Sequence, residues 1–155
     1  MKILKKLGIL LLIVFVLIQF LRPQKNISET TPATDFIAVT KPSPKIEATL
    51  RAACYDCHSN NTKYPWYSEV APVSFLIAEH VKDGKKHLNF SIWDTYSQKK
   101  KAHKLEELVE EVAEGHMPEE SYTWMHSDAR LTKEQVTALN NWAKDLRYIY
   151  QIGEE

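Results

Sequence analysis

The sequence predicts an all-α fold, a small helical domain behind an N-terminal apolar helix. Three observations point that way. Apolar residues recur at helical spacing in four stretches, near 46–53, 73–86, 97–114 and 132–150. Helix-starting chemistry stands where those stretches begin, at Ser43-Pro44, at Ser97 and in the Thr132-x-x-Gln135 box. The run from Leu7 to Leu21 is apolar apart from Gly8 and Gln19. A chain of 155 residues suggests one domain plus something extra. Its formal net charge of +0 gives no pull toward nucleic acid. There is no glycine-rich phosphate loop and no long-period repeat.

The first residues carry Lys2, Lys5 and Lys6, and the apolar run follows directly. Such a run is the core of a signal peptide or a short membrane span. Fifteen helical residues rise only about 22 Å. Counting Ile3 and Leu4, with the lysines reaching outward, brings the segment closer to a bilayer core. No A-x-A site precedes Arg22-Pro23-Gln24-Lys25, and no lipidation cysteine follows the run. The expectation is an uncleaved transmembrane signal-anchor over 1–22, with a cleaved signal peptide as the alternative. The three lysines hold the N-terminus cytoplasmic, and the remainder is exported. Residues 23–42, punctuated by Pro23, Pro32 and Pro42, read as a semi-extended tether at about 3.1 Å per residue.

The domain is expected over 43–152. Ser43 caps a helix with Pro44 at its first position, and Ile46, Leu50 and Ala53 form its apolar side. That helix leads into Cys54-Tyr55-Asp56-Cys57-His58, which is C-x-x-C-H, the attachment signature of a c-type haem. Two thiols three positions apart on a turn can each form a thioether to one of the two vinyl groups. The next residue, His58, is then held beneath the iron as proximal ligand. A thioredoxin-like pair would want a strand before it and a βαβ setting. A zinc site would need two more ligands.

The loop after His58 contains Tyr64, Trp66 and Tyr67, aromatics expected to shield a haem or to pack as core. A carbonyl from this loop, such as that of Pro65, is expected to orient the imidazole. Val73 to about Lys86 reads as a helix ended by Asp83-Gly84. In the irregular segment Leu88–Trp93, Asn89, Ser91 or Trp93 are possible donors to a haem propionate, with a packed Trp as the alternative. The helix from Ser97 to Glu114 places Lys99, Lys100, Lys101 and Lys104 at its positive end and its glutamates toward the other, against the macrodipole. A solvated face is the simplest account of that arrangement. Gly115 ends the helix. His116-Met117-Pro118 then offers a methionine beside a stiffening proline, the pattern of a distal haem ligand. His80, His87, His103, His116, His126 and Met125 are the other candidates, and an open site is the last. The final helix carries an apolar stripe through Val136, Leu139, Trp142, Ala143, Leu146 and Ile149 and is expected to cross the first, Ala-rich helix.

The order of helix, C-x-x-C-H, aromatic loop, helices, Met-Pro loop and final helix resembles a small single-haem class I cytochrome c. More closely, Cys54–Asn60, Thr62, Tyr64–Tyr67, Leu88–Trp93 and Gly115–Pro118 resemble the bacterial haem-binding domain family, over roughly residues 40 to 150. The resemblance implies one covalent haem c on Cys54 and Cys57, with His58 proximal and Met117 distal, both binding the iron. It also implies an N-terminal membrane segment; with the lysine pattern, the expectation is a single-pass protein of a bacterial inner membrane, its domain in the periplasm, served by an unidentified redox partner. With both axial positions filled, one-electron transfer is the expected role, and no enzymatic one. A haem-based sensor or a peroxidase-like enzyme with a displaceable distal ligand is the alternative.

Overall fold

The computed structural model describes residues 2–28 and 30–153, and every regular element among them is helical. The α-helices are α1 (Lys2–Ile18), α2 (Phe36–Thr40), α3 (Pro44–Ala53), α4 (Tyr55–His58), α5 (Val73–His87), α6 (Gln98–Glu114), α7 (Glu120–Met125) and α8 (Lys133–Ile152). Tighter single turns lie at Trp66–Glu69, Phe90–Thr95 and Ser127–Ala129.

The caps form where the residue chemistry places them. The Ser43 hydroxyl accepts from the Ile46 N–H, and the Ser97 hydroxyl from the Lys100 N–H. Thr132 and Gln135 close both halves of a capping box on α8. Gly115 ends α6 with φ +77°, the left-handed conformation that glycine adopts without a side-chain clash. The α8 helix packs mainly along α6, with a smaller contact on the Ala-rich α3. The expected crossing is therefore real, but it is secondary to a helix pair.

The core is aromatic. Phe36 is fully buried and stacks on Phe90 at 4.9 Å, with Trp93 edge-on at 4.5 Å. Leu50, Tyr55, Leu105, Leu108, Val112, Leu139 and Ala143 complete it. Lys101, expected on a solvated face, is buried; its ammonium donates to Asp94 Oδ1 at 2.8 Å and lies 5.3 Å from the Tyr150 ring centroid. A buried ammonium needs such a partner. Ile149, expected in the apolar stripe of α8, is exposed.

The N-terminal segment corrects two expectations. The α1 helix has 17 residues, about 25 Å of rise, against a hydrocarbon core of roughly 30 Å. No helix among the described residues is long and apolar enough to cross a membrane, so the transmembrane helix expected over 1–22 is overturned. The physical reason is Gln19. Its side-chain amide donates to the Phe15 carbonyl at 2.9 Å and the Ala71 carbonyl at 3.1 Å, and accepts from the Ala71 N–H at 2.9 Å. The helix therefore stops at Ile18, and the chain turns onto the domain. Arg22 then pairs with Glu69 at 2.9 Å.

The stretch 23–42, expected as a free tether, lies against the domain. Asn26 donates through Nδ2 to the Ser59 carbonyl at 2.7 Å and the Thr62 hydroxyl at 2.9 Å, and its Oδ1 accepts from Lys85. Asp35 and Phe36 are buried. The Asn26→Ala variant loses three side-chain hydrogen bonds. Urea denaturation should show it about 2 kcal/mol less stable, whereas a free tether predicts no change.

Candidate functional site

The site begins where α3 stops. Cys54 leaves the helix at φ −127°, ψ −41°, and Tyr55–His58 form a single helical turn, α4. Cys57 N–H and His58 N–H both return to the Cys54 carbonyl, at 3.2 and 3.0 Å. One turn cannot hold itself, and Tyr55, Asp56 and His58 are each tied from outside. Tyr55 donates to Asp35 Oδ1 at 2.8 Å, and burial, reinforced by that carboxylate, pushes its phenol well up. The Asp56 carbonyl accepts from the Thr62 hydroxyl at 2.6 Å. The Asp56 carboxylate accepts from the Lys63 N–H at 3.2 Å and the Tyr122 hydroxyl at 2.9 Å.

His58 Nδ1–H donates to the Leu88 carbonyl at 2.9 Å. That bond leaves Nε2 as the free ring nitrogen of a side chain that lines a cavity. Burial holds the imidazole below its ordinary pKa, so it is neutral and able to ligate. The orienting carbonyl was expected from Pro65. It comes instead from Leu88, the first residue past α5, while the Pro65 carbonyl serves Ser68.

The α5 backbone comes this close because residue 84 is glycine. A Cβ at Gly84 would sit 2.9 Å from the Cys57 carbonyl oxygen and 3.2 Å from Cys57 Cβ. Gly84 does not end α5, as expected from sequence, but lies inside it, and the helix continues to His87. This positional requirement carries no local signature; a mid-helix glycine is its only trace in the sequence.

The cavity holds about 480 Å³, and Cys54, Cys57, His58 and Met117 are all among its lining residues. Apolar wall comes from Ala53, Leu88, Phe90, Leu108 and Val112, and charge from His80, Asp83, His87, Lys104, Glu107, Glu111 and Glu119. The four residues expected as ligands and attachment points are thus brought to one space. His116 is not; it faces Glu111 and Glu114 on the surface. His103 pairs with Glu107, Met125 is exposed, and His126 lies against Tyr122 and Tyr67. His80 and His87, by contrast, line the cavity.

The expected aromatic shield is not there. Trp66 is 78 % exposed, and neither Tyr64 nor Tyr67 lines the cavity. The donors expected for a propionate are also engaged elsewhere. Asn89 bonds to Asn60 at 3.1 Å, the Ser91 hydroxyl accepts from the Asn60 N–H at 2.9 Å, and Trp93 donates to the Tyr150 hydroxyl at 3.2 Å.

A family model, the haem-binding domain, matches residues 13–145. The chain belongs to that family. No curated protein and no solved structure matches it. The donor set of this haem-binding domain fits its ligand. A neutral imidazole with one nitrogen tied and the other free, and a thioether in the lining of the same cavity, are donor types that suit a haem iron.

The rival readings of the cysteine pair lack support in the structure. No strand occurs among the described residues, so the βαβ setting of a dithiol oxidoreductase is missing there. Such a pair also needs a depressed thiol pKa. Burial here pushes Cys54 up to about 12 and Cys57 up to about 11, with Cys57 acting on the first, and Asp56 and Glu119 on the second. Among the described residues no group of three or more His, Cys, Asp and Glu is placed to hold a zinc ion.

Gly84→Ala tests the close approach of α5. Overpacking against backbone should cost about 2 kcal/mol and lower the haem-to-protein ratio of purified protein. Gly8→Ala, inside α1 where a Cβ meets nothing within 4 Å, should not destabilise the protein and should leave the haem-to-protein ratio unchanged.

Proposed function

We propose that this haem-binding domain carries its haem covalently, as haem c, and works as a one-electron carrier on the exported side of a cell. The observation that carries the reading is that Cys54, Cys57, His58 and Met117 line one cavity. Cys54 and Cys57 would hold the haem through thioethers, each S–H adding across a vinyl C=C with nothing leaving. His58 Nε2 and the Met117 sulfur would hold its iron. The haem, when bound, supplies a one-electron change at its iron.

The rest is the work of the chain. The Leu88 carbonyl fixes the His58 tautomer and raises the basicity of its free nitrogen. Met117 contributes a soft sulfur, which favours the reduced state and raises the potential. Phe90, Leu108 and Val112 keep water from the apolar wall. Lys104, whose side chain is mostly buried and whose ammonium pairs with Glu107, is the lysine in the cavity lining for which a haem carboxylate would compete. With His58 and Met117 both holding the iron, no position would be left for a substrate, which favours electron transfer over catalysis.

The exported location rests on Lys2, Lys5 and Lys6 ahead of an apolar run, the pattern of an export signal. From residue 42 onward the chain has 14 Lys and Arg against 18 Asp and Glu. A mildly acidic carrier suits a redox partner with a basic docking face and a salt-dependent rate.

Two measurements test this. Haem should stay with the polypeptide on a denaturing gel and resist extraction by acidified organic solvent, and the Cys54→Ala/Cys57→Ala variant should release it. Reduced wild-type protein should bind carbon monoxide slowly, whereas Met117→Ala should bind it rapidly and show a lower midpoint potential. Pigment lost from the wild type would sink covalent attachment. Fast binding by the wild type would favour a sensor or a peroxidase-like enzyme.

A further inference from the structure

The strap from Gly115 to His126 carries Met117, and it has almost no apolar hold on the domain. None of the residues of α7 is buried, and Met117 itself is 39 % exposed. What holds the strap is polar. At its start, the His116 and Met117 N–H groups donate to the Glu111 carbonyl at 3.0 and 3.1 Å. In the middle, Glu119 meets His80 of α5 at 3.3 Å. At its far end, the Tyr122 hydroxyl donates to Asp56 Oδ2 at 2.9 Å.

The last contact differs from the others in where it lands. Asp56 lies between Cys54 and Cys57, and the Lys63 N–H holds its other carboxylate oxygen. The Tyr122 ring is set in place by stacking on His126 at 4.1 Å and 20°, and His126 meets the Tyr67 hydroxyl at 3.3 Å. Tyr122 also lines the cavity, five residues after Met117. We infer that Tyr122 is a positioning residue: its bond to Asp56 latches the Met117 strap to the attachment turn and keeps the distal side of the cavity closed. The inference deepens the proposed function and rests on its reading of Met117 as distal ligand.

A hydrogen bond to a half-buried carboxylate is among the stronger ones, and losing it should raise the open population of the strap about tenfold. External ligands then enter at a rate set by that population. The holoprotein variants are Tyr122→Phe, Asp56→Ala and the two combined, with Met117→Ala as reference and Thr132→Ala as a stability control in α8. The readouts are the association and dissociation rates of carbon monoxide on reduced protein, the sulfur-to-iron absorption band of oxidised protein, and Tm.

Tyr122→Phe should bind carbon monoxide about tenfold faster, with an unchanged dissociation rate and a weakened sulfur band. Asp56→Ala should accelerate binding at least as much, since it also frees the Lys63 N–H, and the double variant should fall short of the product of the two single effects, because the Tyr122–Asp56 bond is common to both. Thr132→Ala should lower Tm and leave the association rate alone. If Asp56→Ala fails to load haem, Tyr122→Phe alone decides. A wild-type rate in Tyr122→Phe, or equal acceleration in Thr132→Ala, overturns the latch. Fast binding by the wild type, or none of these changes in Met117→Ala, would instead overturn the reading of Met117 as ligand.

Discussion

One imidazole has to offer a single nitrogen in a fixed direction, and the rest of the structure is arranged around that requirement. The acceptor that fixes His58 is a carbonyl at the end of α5, where the helix leaves a carbonyl without an intrahelical partner. Using that carbonyl obliges α5 to approach the Cys54–His58 turn at backbone distance, and Gly84 permits it. The segment after α5 then has to be held in register. Asn89 and Ser91 bond to Asn60, two residues past His58, and Phe90 stacks on Tyr55 at 5.1 Å. These contacts all serve the same end. They hold a one-turn helix and the end of another so that one hydrogen bond between them survives.

The N-terminal stretch belongs to this arrangement. An isolated turn of four residues has no cooperative stability of its own. It gains it here from Asp35, whose carboxylate accepts from both Tyr55 and the Ile37 N–H, and from Asn26, which binds the loop that follows His58. A segment rich in Pro and Thr can therefore be structural without periodicity. Its contribution comes from single polar side chains reaching across, while Phe36 adds an aromatic to the core.

What could be read in the sequence was whatever depends on near neighbours. The spacing of Cys54, Cys57 and His58 is local chemistry, and so are the caps at Ser43, Ser97 and Thr132 and the glycine stop at Gly115. The placing of Met117 on the same cavity as His58 was legible because a Met-Pro pair after a helix stop has few other uses. Contacts between distant residues were not legible. Leu88 rather than Pro65 orients His58, since any carbonyl suffices and only the fold decides which arrives. Gly84 has the same residue type as a helix stop and a different purpose. The apolar run at the start looked like a span because composition does not reveal that Gln19 would bind Ala71 and end the helix. The α7 helix was missed because it is six residues long and buries nothing that would give it a period.

The cavity divides by burial. Phe90, Leu108 and Val112 are buried, whereas Glu107 and Glu119, with His80 and Lys104, are partly open to water. A flat apolar ligand with ionised edges is stable in such a space only if its plane takes the dry wall and its charges take the wet one. Lys104 already pairs with Glu107, and Glu119 lies 3.3 Å from His80, while Asp83 and Glu111 add further carboxylates to the lining. A haem carboxylate would have to compete with Glu107 for Lys104. The acidic excess of the lining then works against indiscriminate binding of anions. It leaves recognition to the apolar wall and to the two sulfurs and the imidazole that project from a single turn.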